Sequence, residues 1–264
     1  MHHAAAPIAV FDSGLGGLTV LRALRQQLPQ EDFLYFADTR FLPYGDKPEV
    51  FLKERGVRIA HALAARGAKA LVIACNTATA AAAEAIRAAT HLPVVALEPG
   101  VKPAAALTRS GVVGVLATTR TLDSARFQRL VGEHAPHVTV VAQACPGLAE
   151  AIEQAGPASP AVATLLAAYL EGFERAGADV VVLGCTHYPW VAAAITARLP
   201  GIHLLDTGEA VARQLERRLA AAGLLGGGHG RVHLATSGAP QQVATTITRL
   251  WRDAAVWPLE HWEP

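Results

Sequence analysis

The sequence predicts an α/β protein built on parallel sheets, and three observations carry that expectation. Short β-branched runs alternate with longer Ala- and Leu-rich segments of helical period. Several of those runs, such as Leu71-Val72-Ile73-Ala74 and Val180-Val181-Val182-Leu183, are apolar without alternation, as strands covered on both faces by helices are. A hydrophobic fraction of 52% against 17% charged, over 264 residues, supports a large packed core and excludes wholesale disorder.

Along the chain, Ile8–Phe11 is the first expected strand, and a glycine-rich turn, Asp12-Ser13-Gly14-Leu15-Gly16-Gly17, leads into a helix over Leu18–Leu28. Phe33–Ala37 is the second strand, followed by the loop Asp38–Gly45, whose aromatic, proline and glycine content marks an ordered turn. A helix over Glu49–Arg66, the strand Ala70–Ala74, a helix over Ala78–Ala89 and the strand Val94–Ala96 follow. Next come a helix over Lys102–Thr108, the strand Val112–Ala117, a helix over Asp123–Gly132, the strand Val138–Ala142 and a helix over Pro160–Ala176. The strand Val180–Leu183, a helix over Trp190–Leu199, the strand His203–Leu205, a helix over Gly208–Ala222, the strand Val232–Ala235 and a helix over Gln241–Trp251 complete the pattern. The run Gly226–Gly230 is expected to be a flexible connector and nothing more.

Two segments resemble each other. Ala70–Thr77 and Val180–His187 each carry a buried strand, a cysteine at its carboxyl end (Cys75, Cys185), a nearby threonine and then a helix. They lie about one small domain apart, which suggests two similar α/β domains. The chain would cross between them at Leu97-Glu98-Pro99-Gly100 and return near Asp206-Thr207-Gly208. The expected domains are therefore residues 1–97 with 208–264, carrying Cys75, and residues 98–207, carrying Cys185.

Composition narrows the partners. A net charge of +1 gives no long-range attraction to nucleic acid or anionic lipid, and no apolar run approaches the ~20 residues that span a bilayer. The three cysteines Cys75, Cys145 and Cys185 cannot all pair, and none sits in a CxxC motif, so neither a disulfide framework nor a zinc knuckle is expected. Met1-His2-His3-Ala4 lacks the basic-then-apolar order of a secretion signal. A reducing cytoplasm is the expected location.

Ligands of open α/β sheets bind outside the carboxyl ends of the strands. A cysteine at that position also meets the next helix's N-terminus, whose free amides and dipole favour thiolate. Cys75 and Cys185 are thus the leading candidates for chemistry, one from each domain across a cleft. The plainer alternative, a small buried hydrophobe, fits either residue alone better than it fits both. The turn at Asp12 lacks the Gly-Lys-Ser/Thr ending of a phosphate loop and the GxGxxG spacing of a dinucleotide site. Asp12 and Ser13 suit a ligand bearing an ammonium group; the alternative is an aspartate that caps the helix. Cys145 is expected to be a packing residue, and His187 stands close enough in sequence to assist Cys185.

Four segments together resemble the signature of glutamate racemases: Asp12–Val20, Pro43-Tyr44-Gly45, Ala74-Cys75-Asn76-Thr77-Ala78-Thr79 and Gly184-Cys185-Thr186-His187-Tyr188-Pro189. The likeness runs from about Ile8 to Asp206, with the motifs in family order. It implies two α/β domains with the active site in the cleft between them, and interconversion of L- and D-glutamate without pyridoxal phosphate or metal. It also implies a D-glutamate supply for peptidoglycan synthesis, with glutamate as the small-molecule partner and a homodimer left open. Carried over, Cys75 and Cys185 become the two proton donor/acceptors. Asp12 assists Cys75, while His187 and Glu153 assist Cys185. Asp12-Ser13, Tyr44-Gly45, Asn76-Thr77 and Thr186-His187 hold the substrate. The chain departs from the family pattern at Thr39-Arg40-Phe41-Leu42, where the arginine comes one position early. It departs again at Gly147–Glu153, which is more polar than usual and whose offset favours Glu153 over Glu150 as the acid. Aspartate racemase, a nucleotide-binding α/β protein and a thiol redox protein are the competing expectations.

Overall fold

In the computed structural model, which describes residues 3–251 and 257–264, every strand pairing is parallel. Among the described residues the strands are β1 (Ile8–Asp12), β2 (Phe33–Ala37), β3 (Ala70–Ile73), β4 (Val94–Ala96), β5 (Val112–Ala117), β6 (Thr139–Ala144), β7 (Val180–Gly184), β8 (His203–Leu205), β9 (Val232–Thr236) and β10 (Leu259–His261). They form two sheets, ordered β10-β9-β2-β1-β3-β4 and β6-β5-β7-β8. The chain divides into two compact units, Met1–Leu97 with Gly208–Pro264, and Glu98–Thr207, so each unit holds one sheet.

The order β2-β1-β3-β4 recurs as β6-β5-β7-β8. Cys75, just after β3, and Cys185, just after β7, therefore follow corresponding strands of the two sheets. The first unit extends the pattern by β9 and β10 on the β2 side. In the first sheet, Phe11 of β1 lies opposite both Phe36 of β2 and Ile73 of β3. In the second, Ala117 of β5 lies opposite both Ala144 of β6 and Gly184 of β7. Residues 12–13 and 75, and residues 118, 145 and 185, consequently emerge at the carboxyl edges of their own sheets, where loops can carry chemistry.

Strands β1, β2, β3, β5 and β7 are buried because helices cover them. Helices Glu49–Ala65 and Asn76–Ala89 supply Leu52, Ile59, Leu63 and Ile86 to a core with Phe11, Phe36, Leu71 and Ile73. In the second unit Val101, Leu122 and Phe127 pack on Val113, Val115, Val180 and Val182. Each such side chain contributes about 1.5–3 kcal/mol on burial.

Several expectations need correction. The helix expected over Asp123–Gly132 is two pieces, Thr119–Asp123 and Ala125–His134, because the Ser124 side chain caps the second through Phe127 N. A helix over Leu148–Ala155 and the strand β10 were not expected; the helix spans eight residues between Gly147 and Gly156, and the strand only three. After Cys185 no α-helix begins. A 3₁₀ turn, Tyr188–Val191, comes first and the helix starts at Ala192, since Val191 leaves helical geometry at φ −109° and ψ 11°. The Gly226–Gly230 run is no loose connector either. Gly226 N donates to Glu31 Oε1 at 2.6 Å, and a Cβ on Gly228 would lie 2.6 Å from Gln30 O and Asp32 N. Only glycine lets this strand of backbone approach so closely. The buried Lys69 ammonium then joins Glu31, Gly226 O and Ala4 O beneath it.

Candidate active site

In the first unit, the turn after β1 folds around its own aspartate. Asp12 is fully buried, and its Oδ1 accepts from Ser13 Oγ at 3.0 Å and Gly14 N at 3.3 Å. The following helix, Leu18–Gln27, starts at Gly17 without a side-chain cap, so Asp12 is not its capping residue. Gly17 is small for a definite reason: a Cβ there would lie 2.5 Å from Asp12 Oδ2 and 2.9 Å from the Tyr35 hydroxyl. Gly17 thus makes room for a carboxylate, which would repel a phosphate.

Parallel pairing of β1 with β3 brings Cys75 to this turn. Ala74 N donates to Phe11 O at 2.7 Å, and one residue further Ser13 Oγ lies 3.5 Å from Cys75 Sγ. The Cys75 sulfur also caps the helix Asn76–Ala89, accepting from Ala78 N at 3.4 Å. A helix N-terminus of this kind stabilises negative charge on sulfur. Asn76 and Thr77 are buried in the first helical turn, and Asn76 Oδ1 and Thr79 Oγ1 have no hydrogen-bond partner among the described residues.

The loop after β2 forms two 3₁₀ turns, Thr39–Phe41 and Tyr44–Asp46. Tyr44 is buried with its ring edge-on to Phe11, and Gly45 is half-buried. Tyr44 Oη donates to Asp38 Oδ2 at 2.6 Å, and burial together with the Asp38 charge pushes its phenol well above the usual tyrosine range. The early arginine of this loop, Arg40, turns away to Glu263, its Nη1 donating to both carboxylate oxygens at 2.6 Å.

The second unit is built differently around its cysteine. Cys185 Sγ lies 3.7 Å from His187 Nδ1, and His187 Nε2 lies 2.6 Å from Glu153 Oε1. An ionised carboxylate only accepts, so Nε2 carries a proton and Nδ1 faces the sulfur. Glu153 therefore touches His187 rather than acting beside it, and the three groups stand in series. His187 is 2% exposed and Glu153 8%. Burial alone would lower the imidazole pKa, but hydrogen bonds to Cys185 and Glu153 hold it well above the usual value. Glu153 reaches its place from the unexpected helix Leu148–Ala155, while Glu150 on the first turn of that helix is more exposed. Thr186 is buried beside this relay. Cys145, after β6, donates from Sγ to Gln143 O at 3.4 Å, and burial pushes its pKa up to about 12. It is a protonated packing thiol at neutral pH.

Two residues of the first cluster were not singled out from sequence, Asp38 and Arg55. Arg55 is buried and grips Asp38 through Nε and Nη2 at 2.9 and 2.7 Å. A signal existed: Arg55 falls on the apolar stripe Leu52, Gly56, Ile59, Leu63 of its helix, where an unpaired cation would not be tolerated. Among the described residues no cluster of His, Cys, Asp or Glu is arranged to hold a metal, and no helix is long and apolar enough to cross a membrane.

Residues 45–215 match the model of the Asp/Glu/Hydantoin racemase family. The chain is 53% identical over 220 residues to a glutamate racemase of Methylococcus capsulatus, covering 83% of this chain and 81% of that one. It is 48% identical over 258 residues to a glutamate racemase of Stutzerimonas stutzeri, covering 97% and 98%. Among solved structures, a glutamate racemase isoform from Bacillus anthracis superposes with a TM-score of 0.89 at 29% identity, covering 99% of this chain and 98% of that one. A glutamate racemase from Francisella tularensis, crystallised with D-glutamate, superposes with a TM-score of 0.84 at 27% identity, covering 98% of each chain.

Proposed function

Because the chain belongs to the glutamate racemase family, we propose that it interconverts L- and D-glutamate by two proton transfers, one at Cys75 and one at Cys185. The observation that carries this is the placement of two thiols after corresponding strands of two like-ordered sheets, Cys75 beside the Ser13 hydroxyl and Cys185 beside the His187 imidazole. Inverting an α-carbon means removing its proton from one face and delivering another to the opposite face. A thiolate on one side and a thiol on the other do both, and they exchange roles with the direction of reaction.

The α-proton of an amino acid is weakly acidic because the neighbouring carboxylate resists further negative charge. Backbone amides at the turns after the strands, from Ser13, Gly45, Asn76, Thr77 and Thr186, would bind the carboxylates and take up charge as the carbanion forms. Asp12 would keep the substrate ammonium charged, which acidifies the α-carbon further. The orphaned Asn76 Oδ1 supports a polar ligand at that turn.

The two bases would be tuned by different means. Cys75 is favoured as thiolate by the N-terminus of helix Asn76–Ala89. Cys185 would exchange its proton with an imidazole backed by Glu153. Both proton transfers are complete with these groups, so no step calls on pyridoxal phosphate or a metal. The two units would then serve as two domains, one for each base. A reducing, cytoplasmic setting suits two working thiols, and supply of D-glutamate to peptidoglycan is the role this reaction would fill.

The test is circular dichroism of chelator-dialysed protein with L-glutamate alone, run in deuterated water. Steady loss of ellipticity, with deuterium entering product well before remaining substrate, is expected. Activity lost to the chelator and restored by a divalent ion overturns the cofactor-free part. Equal kcat/KM for glutamate and aspartate overturns the substrate.

A further inference from the structure

The proton transfers leave unexplained a buried ion pair lying under the Tyr44-Gly45 turn. Arg55, on helix Glu49–Ala65, has three hydrogen bonds: Nε to Asp38 Oδ2 at 2.9 Å, Nη2 to Asp38 Oδ1 at 2.7 Å, and Nη1 to Pro264 O at 2.7 Å. Its guanidinium also lies 4.7 Å from the centre of the Phe41 ring. Asp38 is fully buried; its amide donates to Asp12 O at 2.9 Å, and its Oδ2 accepts from Tyr44 Oη at 2.6 Å. A single fork on a rigid helix thus tethers the loop at Asp38, at Phe41 and, through the carboxylate, at Tyr44.

Such a pair is an expensive way to secure a fold. Two buried charges seldom outdo apolar side chains of the same volume. What a bidentate pair does supply is direction, since the planar fork fixes the carboxylate's orientation and hence where the phenol can sit. We propose that Arg55 is a positioning residue for catalysis, which orients Asp38 and through it holds the Tyr44-Gly45 turn where a substrate carboxylate is bound. This rests on the proposed glutamate racemisation, in which that turn binds substrate. The turn transfers no proton, so misplacing it weakens ground state and transition state alike: KM rises while kcat changes little.

The test compares Arg55→Lys, which keeps the charge and loses the fork, with Tyr44→Phe, which removes only the phenol link. Ile59→Val is the control, loosening the same helix without touching Asp38. Arg55→Lys is expected to raise KM for both enantiomers about tenfold or more, with kcat within about threefold. Tyr44→Phe should move KM the same way, and the double variant should be no worse than the larger single one, since both cut one link. Ile59→Val should lower Tm and leave KM unchanged. An Arg55→Lys protein that loses Tm but keeps the wild-type KM, or singles whose effects multiply, overturns the positioning role while leaving the racemase intact. A wild-type protein inert towards both enantiomers overturns the proposed reaction and this inference with it.

Discussion

Replacing Glu153 by glutamine removes one charge from the relay behind Cys185 and little else. The wild-type carboxylate accepts from His187 Nε2 at 2.6 Å, with both groups nearly shielded from water. A hydrogen bond to a charged group is worth ~1.5–3 kcal/mol, and a neutral one that glutamine can retain ~0.5–1.5 kcal/mol. The difference, about 1–2 kcal/mol, falls on the transition state in which His187 and Cys185 share the proton. At ~1.4 kcal/mol per decade, kcat/KM should drop about five- to thirtyfold. The two glutamate enantiomers have equal free energy in water, so kcat/KM must drop equally in both directions. The asymmetry of the relay shows instead in isotope effects. With the Cys185 step made slower, the primary effect of α-deuterated glutamate should grow for the enantiomer that Cys185 deprotonates. It should shrink for the one that Cys75 deprotonates, because that proton transfer becomes a reversible prelude. The assay is steady-state circular dichroism with protiated and α-deuterated L- and D-glutamate. Isotope effects moving the same way for both enantiomers, or kcat/KM within twofold of wild type, would refute the series arrangement of Cys185, His187 and Glu153.

Cys75→Ser and Cys185→Ser should each lower racemisation at least a hundredfold, since a serine hydroxyl is a far poorer base; near-wild-type turnover by either variant on a polarimeter contradicts the two-base scheme. The raised pKa of His187 stabilises the folded protein in full below the ordinary histidine value of about 6.5, and this contribution is lost as pH rises through the folded value. Urea unfolding should therefore show the largest gap between wild type and His187→Gln at mildly acidic pH, shrinking towards alkaline pH; a gap that widens with pH argues against the buried imidazolium. Gly228→Ala should destabilise the first unit by about 1–3 kcal/mol, because its Cβ would meet backbone atoms of Gln30 and Asp32 that cannot swing aside. An unfolding midpoint equal to wild type would show that the glycine strap is as loose as its composition suggests.

Much of the scaffold was legible because its causes are local. Strands buried on both faces write continuous apolar runs, and helices write a 3.6-residue period, so β1 to β9 and most helices could be placed from the chain alone. The misses have local causes as well. Leu148–Ala155 covers only about two turns between Gly147 and Gly156, and Asp123–Gly132 conceals a cap at Ser124 that restarts the helix. At the site, the four motifs located the cysteines and the turns around them. The same chain could not say that Glu153 reaches Cys185 through His187, nor that the carboxylate of Asp12 fills its glycine turn.

By itself, then, the sequence determined the class of fold, the two corresponding strands and the thiols that end them, since hydrophobic period and residue chemistry are properties of neighbours along the chain. The tertiary structure alone decided which distant groups meet. Parallel pairing of β1 with β3 brings Ser13 to Cys75. Packing of helix Glu49–Ala65 under the loop after β2 turns an arginine on an apolar stripe into the partner of Asp38. A run of glycines that reads as slack is drawn tight against Pro29–Asp32 by a buried lysine and glutamate. Such contacts follow from strand register and from the need to pair every buried charge, and those conditions are met only once the whole chain has closed on itself.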